Sequence, residues 1–131
     1  GRLFRPRLIL DGSAPPPVRE IAATPAALAA VRLGMEAVVH GRRGTGREAR
    51  VEGVRMAAKT GTAQAGTPAH PRTWAWMILY APVEAPRYAV AMVIEDGVSG
   101  GSAVAPRLGA MMRRVFAAEG RPTQPLLALR D

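Results

Sequence analysis

Four consecutive residues, Lys59-Thr60-Gly61-Thr62, carry the groups needed to hold an anionic, extended ligand. Lys59 supplies a positive charge, and the Thr60 hydroxyl can donate a hydrogen bond to a carboxylate beside it. Gly61 has no side chain, so a second backbone can approach it closely. The backbone N–H of Thr62 follows at a position suited to stabilising a developing oxyanion. The run is therefore a candidate binding and catalytic site.

Lys59 is also the only lysine among the 18 Lys and Arg residues of the chain. An ammonium group is a compact charge that can approach a small anion or lose its proton, whereas a guanidinium group is a planar fork that stays charged. Because arginine supplies positive charge everywhere else, the lysine indicates a specific chemical requirement at position 59.

Other residues that could perform chemistry are few. His40 and His70 are the only histidines, and neither has a partner at a metal-ligand spacing. We therefore predict surface positions for both, and neither a metal site nor a cofactor. Glu95 and Asp96 are adjacent in a glycine-rich stretch. Neighbours in an extended chain point apart, which favours a solvated turn over a catalytic pair.

Trp74 and Trp76 have the spacing that places two side chains on one face of a strand. One interpretation is a shelf for a ligand beside the site. Packing in the core or against a partner domain is the interpretation we favour.

Composition limits the class of protein. The chain has 131 residues, 48% of them hydrophobic, which suits one domain or part of one. No run approaches the ~20 apolar residues of a membrane span, and the absence of cysteine excludes disulfides. The net charge of +8 would suit a polyanionic partner, but the arginines are dispersed without interleaved aromatic residues, so we predict a generally basic surface. The chain begins at Gly1 without a leader pattern, so we expect a processed product or a piece of something longer.

The first half of the chain predicts a short strand and a helix. Residues 3–10 are mostly apolar and end in a turn signal, which indicates an edge strand, and three prolines then predict an extended connection. A helix follows, with Thr24 as its cap, Pro25 in its first position and Gly41 after its end. Its predicted apolar face comprises Leu28, Val31, Met35, Val38 and Val39.

The second half predicts a sheet and a second helix. The polar residues 41–53 indicate an exposed loop, residues 54–62 a strand, and residues 64–72, with their prolines, a loop. Residues 73–81 and 87–94 have the composition of an antiparallel hairpin, and residues 95–102 that of a flexible link. The final helix has an apolar face made by Leu108, Met111, Met112, Val115 and Phe116, with Pro106 near its start. The fold class is α+β, an antiparallel sheet flanked by helices.

The stretch 54–64, Val-Arg-Met-Ala-Ala-Lys-Thr-Gly-Thr-Ala-Gln, resembles the third motif of class B penicillin-binding proteins. This class of serine acyltransferase combines Ser-x-x-Lys, Ser-x-Asn or Ser-Asp-Asn, and Lys-Thr-Gly. The resemblance extends in order over residues 1–118, through the segments 1–8, 35–45, 74–82, 89–95 and 100–106. The run Val93-Ile94-Glu95-Asp96-Gly97 before the paired glycines is more similar to the elongation-type penicillin-binding protein 2 than to the septal type.

The resemblance implies a peptidoglycan D,D-transpeptidase that cross-links stem peptides through a serine acyl-enzyme and binds β-lactams. It implies that Lys59 and Thr60 hold the terminal carboxylate of the D-Ala-D-Ala stem peptide, with Gly61 and Gln64 as further substrate-binding residues. The backbone N–H of Thr62 would form half of an oxyanion hole.

The resemblance also implies where the protein acts and with which partners. It places the protein on the periplasmic side of the bacterial inner membrane, anchored through sequence outside this chain, in cell-wall synthesis and cell shape. The implied partners are the remainder of the transpeptidase domain and membrane proteins of the elongation machinery, without nucleic acid. Residues 1–118 would be the C-terminal part of the transpeptidase domain, and residues 119–131 a loosely held tail.

Two of the three motifs are missing from the chain. The serines are Ser13, Ser99 and Ser102, none of which is followed three residues later by lysine, and the chain contains no asparagine. Neither Ser-x-x-Lys nor Ser-x-Asn is therefore present. We predict that the nucleophile lies outside this chain and that the chain alone is inactive.

Two other interpretations remain open from the residues. Gly53, Lys59 and Thr60 have the spacing of a phosphate-binding loop, but Ala58 replaces its second glycine, and Gly61 opposes the helix that such a loop requires. The second interpretation is a non-catalytic basic module that binds nucleic acid or an anionic cell-wall polymer, with Lys59 as one charge among many.

Overall fold

A computed structural model of the chain describes residues 1–7, 9 and 16–120. They fall in two compact units, Gly1–Arg32 and Leu33–Asp131. In the first unit, strand β1 (Arg2–Leu3) pairs antiparallel with strand β2 (Arg19–Glu20). The predicted strand over residues 3–10 is wrong in extent, since residues 4–7 have no regular structure. Pro6 lacks the N–H that a paired strand would need.

Helix α1 (Pro25–His40) begins and ends where the sequence predicts. The Thr24 hydroxyl accepts a hydrogen bond from the backbone N–H of Ala27 at 3.2 Å, as expected of a cap. The predicted apolar face is only partly confirmed, because Val39 is the buried residue of the helix and Val31 is 60% exposed. The spacing of these residues identifies a face but not the contacts that would cover it.

The segment after α1 is mostly the exposed loop that its polar composition predicts, but parts of it are ordered and buried. A 3₁₀ helix (Arg47–Ala49) interrupts it, and Ala49 and Val51 belong to the hydrophobic core. A Cβ on Gly44 would lie 2.3 Å from the carbonyl oxygen of Val38. The glycine therefore lets this segment fold back closely against the end of α1.

The second unit contains an antiparallel sheet of strands β3 (Ala57–Thr67), β4 (His70–Ala81) and β5 (Tyr88–Glu95). The spatial order is β3-β4-β5, which makes β3 an edge strand of the described sheet. The predicted hairpin of β4 and β5 is confirmed. The predicted loop over residues 64–72 is wrong, because β3 and β4 continue through it and meet at a two-residue turn. Gly66, with φ of 84°, adopts the left-handed backbone conformation that glycine allows next to the turn.

The side chains of β4 alternate between a buried and an exposed face of the sheet. Its alternate residues Ala75, Met77, Leu79 and Ala81 are buried, and they pack with helix α2 (Ala105–Ala118) in one hydrophobic core. The predicted final helix is confirmed, and its buried residues include Leu108, Met112 and Phe116. The other face of β4 exposes Trp74, Trp76 and Ile78.

Residues 95–102, predicted as a flexible link, are packed in part, since Gly97 and Gly100 are buried while Val98 is 84% exposed. The chain turns after β5 and enters a π-helical turn (Gly100–Val104) whose first and last residues are buried. The described residues confirm the α+β class, an antiparallel sheet with helices packed against it. No helix among them is long and apolar enough to cross a bilayer. The predicted tail lies, from residue 121 onward, outside the described residues.

Candidate active site

An open groove of about 820 Å³ lies between the edge strand β3 and the segment that leads into α2. Backbone, hydroxyl groups and one ammonium group make up its lining. The lining residues are Thr45, Lys59, Thr60, Gly61, Thr62, Ser99, Gly100, Gly101 and Ser102.

The pairing of β3 with β4 shows on which face of the sheet each β3 side chain lies. Thr60 pairs with Met77 and Thr62 with Ala75, so both threonines share the face of the sheet that carries the core. Lys59 pairs with Ile78 and points to the opposite face. Because β3 has a strand neighbour on only one side in the described sheet, the other side of its backbone faces the groove.

The Thr60 hydroxyl is held by a second threonine. Its Oγ1 lies 2.7 Å from Oγ1 of Thr45, on the segment between α1 and the 3₁₀ helix, and either hydroxyl can be the donor. The contact fixes the Thr60 side chain while leaving it further hydrogen-bonding capacity. Sequence reasoning did not select Thr45 as a site residue, since 15 positions separate it from Thr60.

Lys59 is exposed, and its Nζ donates a hydrogen bond to the backbone carbonyl oxygen of Thr60. Among residues 1–7, 9 and 16–120, no carboxylate forms an ion pair with it. Its positive charge is thus not neutralised by the described part of the chain. A charge so placed can attract an anionic ligand to the groove.

The opposite wall of the groove consists of Ser99, Gly100, Gly101 and Ser102, which we call the glycine–serine wall. Ser99 Oγ accepts a hydrogen bond from the backbone N–H of Ser102 at 3.1 Å and lies 2.8 Å from its hydroxyl. A Cβ on Gly100 would lie 2.1 Å from the carbonyl oxygen of Trp76, and one on Gly101 would lie 2.4 Å from that of Thr45. Only glycines allow the wall to approach the sheet so closely.

Sequence reasoning missed this wall as part of the site. The available signal was the run Ser-Gly-Gly-Ser, in which two glycines permit a close backbone approach and two serines offer hydroxyls. Composition alone favoured a flexible link. The close approaches of Gly100 and Gly101 to other segments show that the run is instead fixed against the sheet.

Other predicted residues lie outside the groove lining. Gln64 is exposed on β3 opposite Thr73, and His70 is exposed at the start of β4. His40 Nε2 accepts a hydrogen bond from the backbone N–H of Met56 at 3.0 Å. Burial lowers the pKa of His40 below 6.5, and the charge of Arg50 lowers it further. His40 thus has a structural contact rather than a place in the groove.

Glu95 and Asp96 are exposed where the chain turns after β5, as the sequence predicts, but both side chains contact Arg72. Nη2 of Arg72 donates to Oε2 of Glu95 at 2.8 Å and to Oδ2 of Asp96 at 2.9 Å, while its Nε donates to Oδ1 of Asp96 at 3.1 Å. Asp96 has a positive φ of 56°. The Arg72 guanidinium holds the pKa of the Asp96 carboxyl below its usual range.

The phosphate-binding loop is excluded, because β3 continues as a strand beyond Thr60 to Thr67 and no helix begins there. Trp74 and Trp76 share one face, with ring centroids 6.4 Å apart, but each is 37% exposed and neither belongs to the core. Within the described part of the chain, no cluster of three residues of metal-ligand type could hold a metal ion.

The fold is that of the penicillin-binding transpeptidase class. The family model described as "Penicillin binding protein transpeptidase domain" matches residues 1–113, and the chain belongs to this family. A curated relative, the peptidoglycan D,D-transpeptidase PbpA of Mycobacterium tuberculosis, is 42% identical over 76 residues. That match covers 55% of this chain and 16% of PbpA.

Solved structures show the same similarity. Pseudomonas aeruginosa PBP2, in complex with WCK 5153, is 33% identical with a TM-score of 0.68, over 90% of this chain and 26% of that one. PBP2 of Helicobacter pylori, in a complex with MreC, is 32% identical with a TM-score of 0.60, over 70% of this chain and 17% of that one. The chain therefore spans well under half of these proteins.

Proposed function

We propose that this chain supplies the lysine-strand wall of the active site in a class B peptidoglycan D,D-transpeptidase. Such an enzyme acylates a serine with the D-Ala-D-Ala end of a stem peptide and transfers the acyl group to the amine of a second peptide. The single observation that carries the proposal is the groove along β3, which Lys59, Thr60 and Thr62 line together. β-Lactams would occupy the same groove as mimics of the first substrate.

Each of these residues has a distinct role in the proposal. The terminal carboxylate of the stem peptide accepts a hydrogen bond from Thr60, whose hydroxyl is oriented by Thr45 at 2.7 Å. Lys59 attracts this carboxylate. The backbone N–H of Thr62 donates to the oxyanion that forms when the serine attacks, and the N–H of that serine supplies the second donor. Gly61 allows the substrate backbone to approach β3, with Gln64 further along the strand.

The nucleophilic serine belongs to another part of the full-length protein in this proposal. The described serines of this chain, Ser99 and Ser102, hydrogen-bond to each other, and no described histidine, lysine or carboxylate hydrogen-bonds to either hydroxyl. A serine without a base is a weak nucleophile. The isolated chain would accordingly not form an acyl-enzyme.

The remainder of the transpeptidase domain is the first partner that we propose. The exposed face of the sheet carries Trp74, Trp76, Ile78 and Val93, which are between 37% and 48% exposed. Contiguous apolar patches of this kind mark surfaces that pack against other protein. Lys59 lies on the same face, so a segment packed there would bring its own side chains near the lysine.

We further propose that the protein is of the elongation type and acts on the periplasmic side of the inner membrane, anchored by sequence outside this chain. Support comes from the similarity to two PBP2 structures, one of which is a complex with MreC. The corresponding partner here would be a membrane protein of the elongation machinery. Loss of the protein from rod-shaped cells should give rounded cells, whereas filaments would indicate the septal type.

Covalent labelling with a fluorescent penicillin tests the catalytic proposal. We expect the full-length protein to be labelled and the isolated chain not to be. In the full-length protein, Thr60→Val should lower the second-order labelling rate by about tenfold to a hundredfold, because a hydrogen bond to a charged group contributes about 1.5–3 kcal/mol. Thr60→Ser is the matched control, since it keeps the hydroxyl. Labelling of the isolated chain, or equal rates for Thr60→Val and the unmodified protein, would contradict the proposal.

A further inference from the structure

We propose that Arg72 is a positioning residue of the groove, which fixes the glycine–serine wall against β3 through its ion pairs with Glu95 and Asp96. The inference rests on the proposed transpeptidase function of the groove, to which it adds a residue outside the Lys-Thr-Gly motif. Arg72 itself does not line the groove. Its effect is transmitted through the bend that connects β5 to the wall.

Arg72 lies where β5 stops pairing with β4. The last pair of the two strands is Trp74 with Glu95. Arg72 lies two residues before Trp74 in β4, on the same face of the strand. Its guanidinium donates to Glu95 at 2.8 Å and, through two nitrogens, to both carboxylate oxygens of Asp96 at 2.9 and 3.1 Å. Such a two-pronged contact fixes orientation as well as distance.

Asp96, which Arg72 holds in this way, forms the bend after β5. Asp96 is the one described residue other than glycine with positive φ, at 56°. Aspartate tolerates this conformation better than most residues, but the conformation still has to be stabilised by its surroundings. Arg72 and the backbone N–H of Thr73 both interact with its carboxylate. The chain direction after β5 therefore depends on this contact.

The segment that leaves the bend leads directly to the groove. A Cβ on Gly97 would lie 2.8 Å from Cβ of Ala75, so the segment crosses the core-facing side of β4 in close contact. At Gly100 it meets β3, where an added Cβ would lie 3.1 Å from the backbone nitrogen of Gly61. A shift of the bend would therefore move the Ser99 and Ser102 hydroxyls relative to Thr60 and Thr62.

Loss of the ion pairs of Arg72 should change the geometry of the groove more than it changes the free energy of unfolding. Arg72, Glu95 and Asp96 have side chains that are 46%, 59% and 60% exposed. Exposed ion pairs contribute little to the free energy of unfolding, whereas a misplacement of about 1 Å near reacting groups can lower a rate by about a hundredfold. The ion pair of Arg55 with Glu36, at 2.6 Å, offers a control because neither residue lines the groove. Its side chains are 60% and 18% exposed, so its loss should cost at least as much stability.

The test measures acylation of the full-length protein by a fluorescent penicillin under saturating and subsaturating conditions. We expect Arg72→Gln and Asp96→Asn each to lower the limiting acylation rate constant by about tenfold, with a smaller change in the apparent dissociation constant. Arg72→Lys, which keeps the charge without the fork, should recover part of the rate. Because both residues act through one contact, the double variant should be no slower than either single variant.

The control variant Arg55→Gln should label at the rate of the unmodified protein, while its melting temperature should fall at least as much as that of Arg72→Gln. Equal acylation rates for Arg72→Gln and the unmodified protein would overturn the inference while leaving the proposed function intact. So would a rate loss in Arg72→Gln accompanied by a much larger drop in melting temperature than in Arg55→Gln, which would indicate a merely structural role. Failure of the unmodified full-length protein to label would overturn the proposed function and this inference with it.

Discussion

At the residue scale, the groove depends on a contact between two glycines of different segments. Gly100 fits against β3 and β4 only without a side chain, since a Cβ would lie 2.1 Å from the carbonyl oxygen of Trp76 and 3.0 Å from that of Gly61. Both obstacles are backbone atoms of a paired strand. They cannot move aside without disturbing the sheet, so a larger residue must displace the glycine–serine wall instead.

Gly100→Ala should therefore widen the groove and lower the acylation rate of the full-length protein by at least about tenfold. It should also destabilise the protein by about 1–3 kcal/mol, the usual cost of overpacking. Penicillin labelling and denaturant unfolding measure the two effects.

Gly34→Ala is the matched control for this substitution. Gly34 lies within α1 and a Cβ there would meet nothing within 4 Å. This change should leave labelling unaffected and stabilise the helix by about 0.5–1 kcal/mol. Unchanged labelling in Gly100→Ala would show that the wall does not border the functional groove.

The individual residues of the candidate site were only partly predictable. Lys59 and Thr60 could be selected because one lysine among arginines, followed by Thr-Gly-Thr, is a local pattern. Both residues line the groove. Thr45 could not be selected, because its role arises from a contact with Thr60 that only the folded chain creates. The contact between Arg72 and Asp96, 24 positions apart, was not predictable for the same reason.

At the element scale, His40 connects the end of α1 to the start of β3. Its Nε2 accepts a hydrogen bond from the backbone N–H of Met56, the residue before β3. A protonated imidazole has no lone pair to accept this hydrogen bond. Burial and the charge of Arg50 keep the pKa of His40 below the ordinary 6.5, which favours the neutral form that the contact requires.

This lowered pKa predicts a loss of stability in mild acid. Between pH 6.5 and the lower native pKa of His40, the unfolded state binds more protons than the folded state, so the free energy of unfolding falls as the pH falls. The contribution is complete above pH 6.5 and is lost below the native pKa. Melting temperatures of the full-length protein between pH 8 and 5 would show the decline.

His40→Gln should remove part of this pH dependence, because a glutamine side chain does not titrate. His70→Gln, at the exposed start of β4, serves as the control and should leave the pH profile as it is in the unmodified protein. A His40→Gln profile that matches the unmodified one would show that the His40 contact does not contribute to acid sensitivity.

The elements themselves were predicted best where periodicity was strong. Helix α2, with Leu108, Met112 and Phe116 on one face, and the hairpin of β4 and β5 follow from such patterns. The sequence does not predict the extension of β3 and β4 through residues 64–72, because Pro68 and Gly66 favour a loop there. They instead form the turn and the bend beside it, where neither opposes strand pairing.

At the scale of the whole molecule, the described residues bury one face of the sheet and leave the other face partly exposed. Met77 and Leu79 of β4 pack with α2 in the core. On the reverse face, the apolar side chains Trp76 and Ile78 lie exposed beside Lys59. The basic residues behind the net charge of +8 are dispersed along the sequence. The apolar face is therefore the surface on which the described residues depend most on further protein.

Trp76→Ser in the full-length protein tests whether the rest of the transpeptidase domain covers this face. If it does, the substitution removes buried apolar area and should lower the free energy of unfolding by about 2 kcal/mol or more. Trp76→Phe retains most of that area and should cost less. In the isolated chain, where Trp76 is 37% exposed, Trp76→Ser should improve solubility with little loss of stability. A loss of stability in the full-length protein that is much larger than in the isolated chain would identify a covered face. An unchanged unfolding midpoint of the full-length Trp76→Ser variant would contradict it.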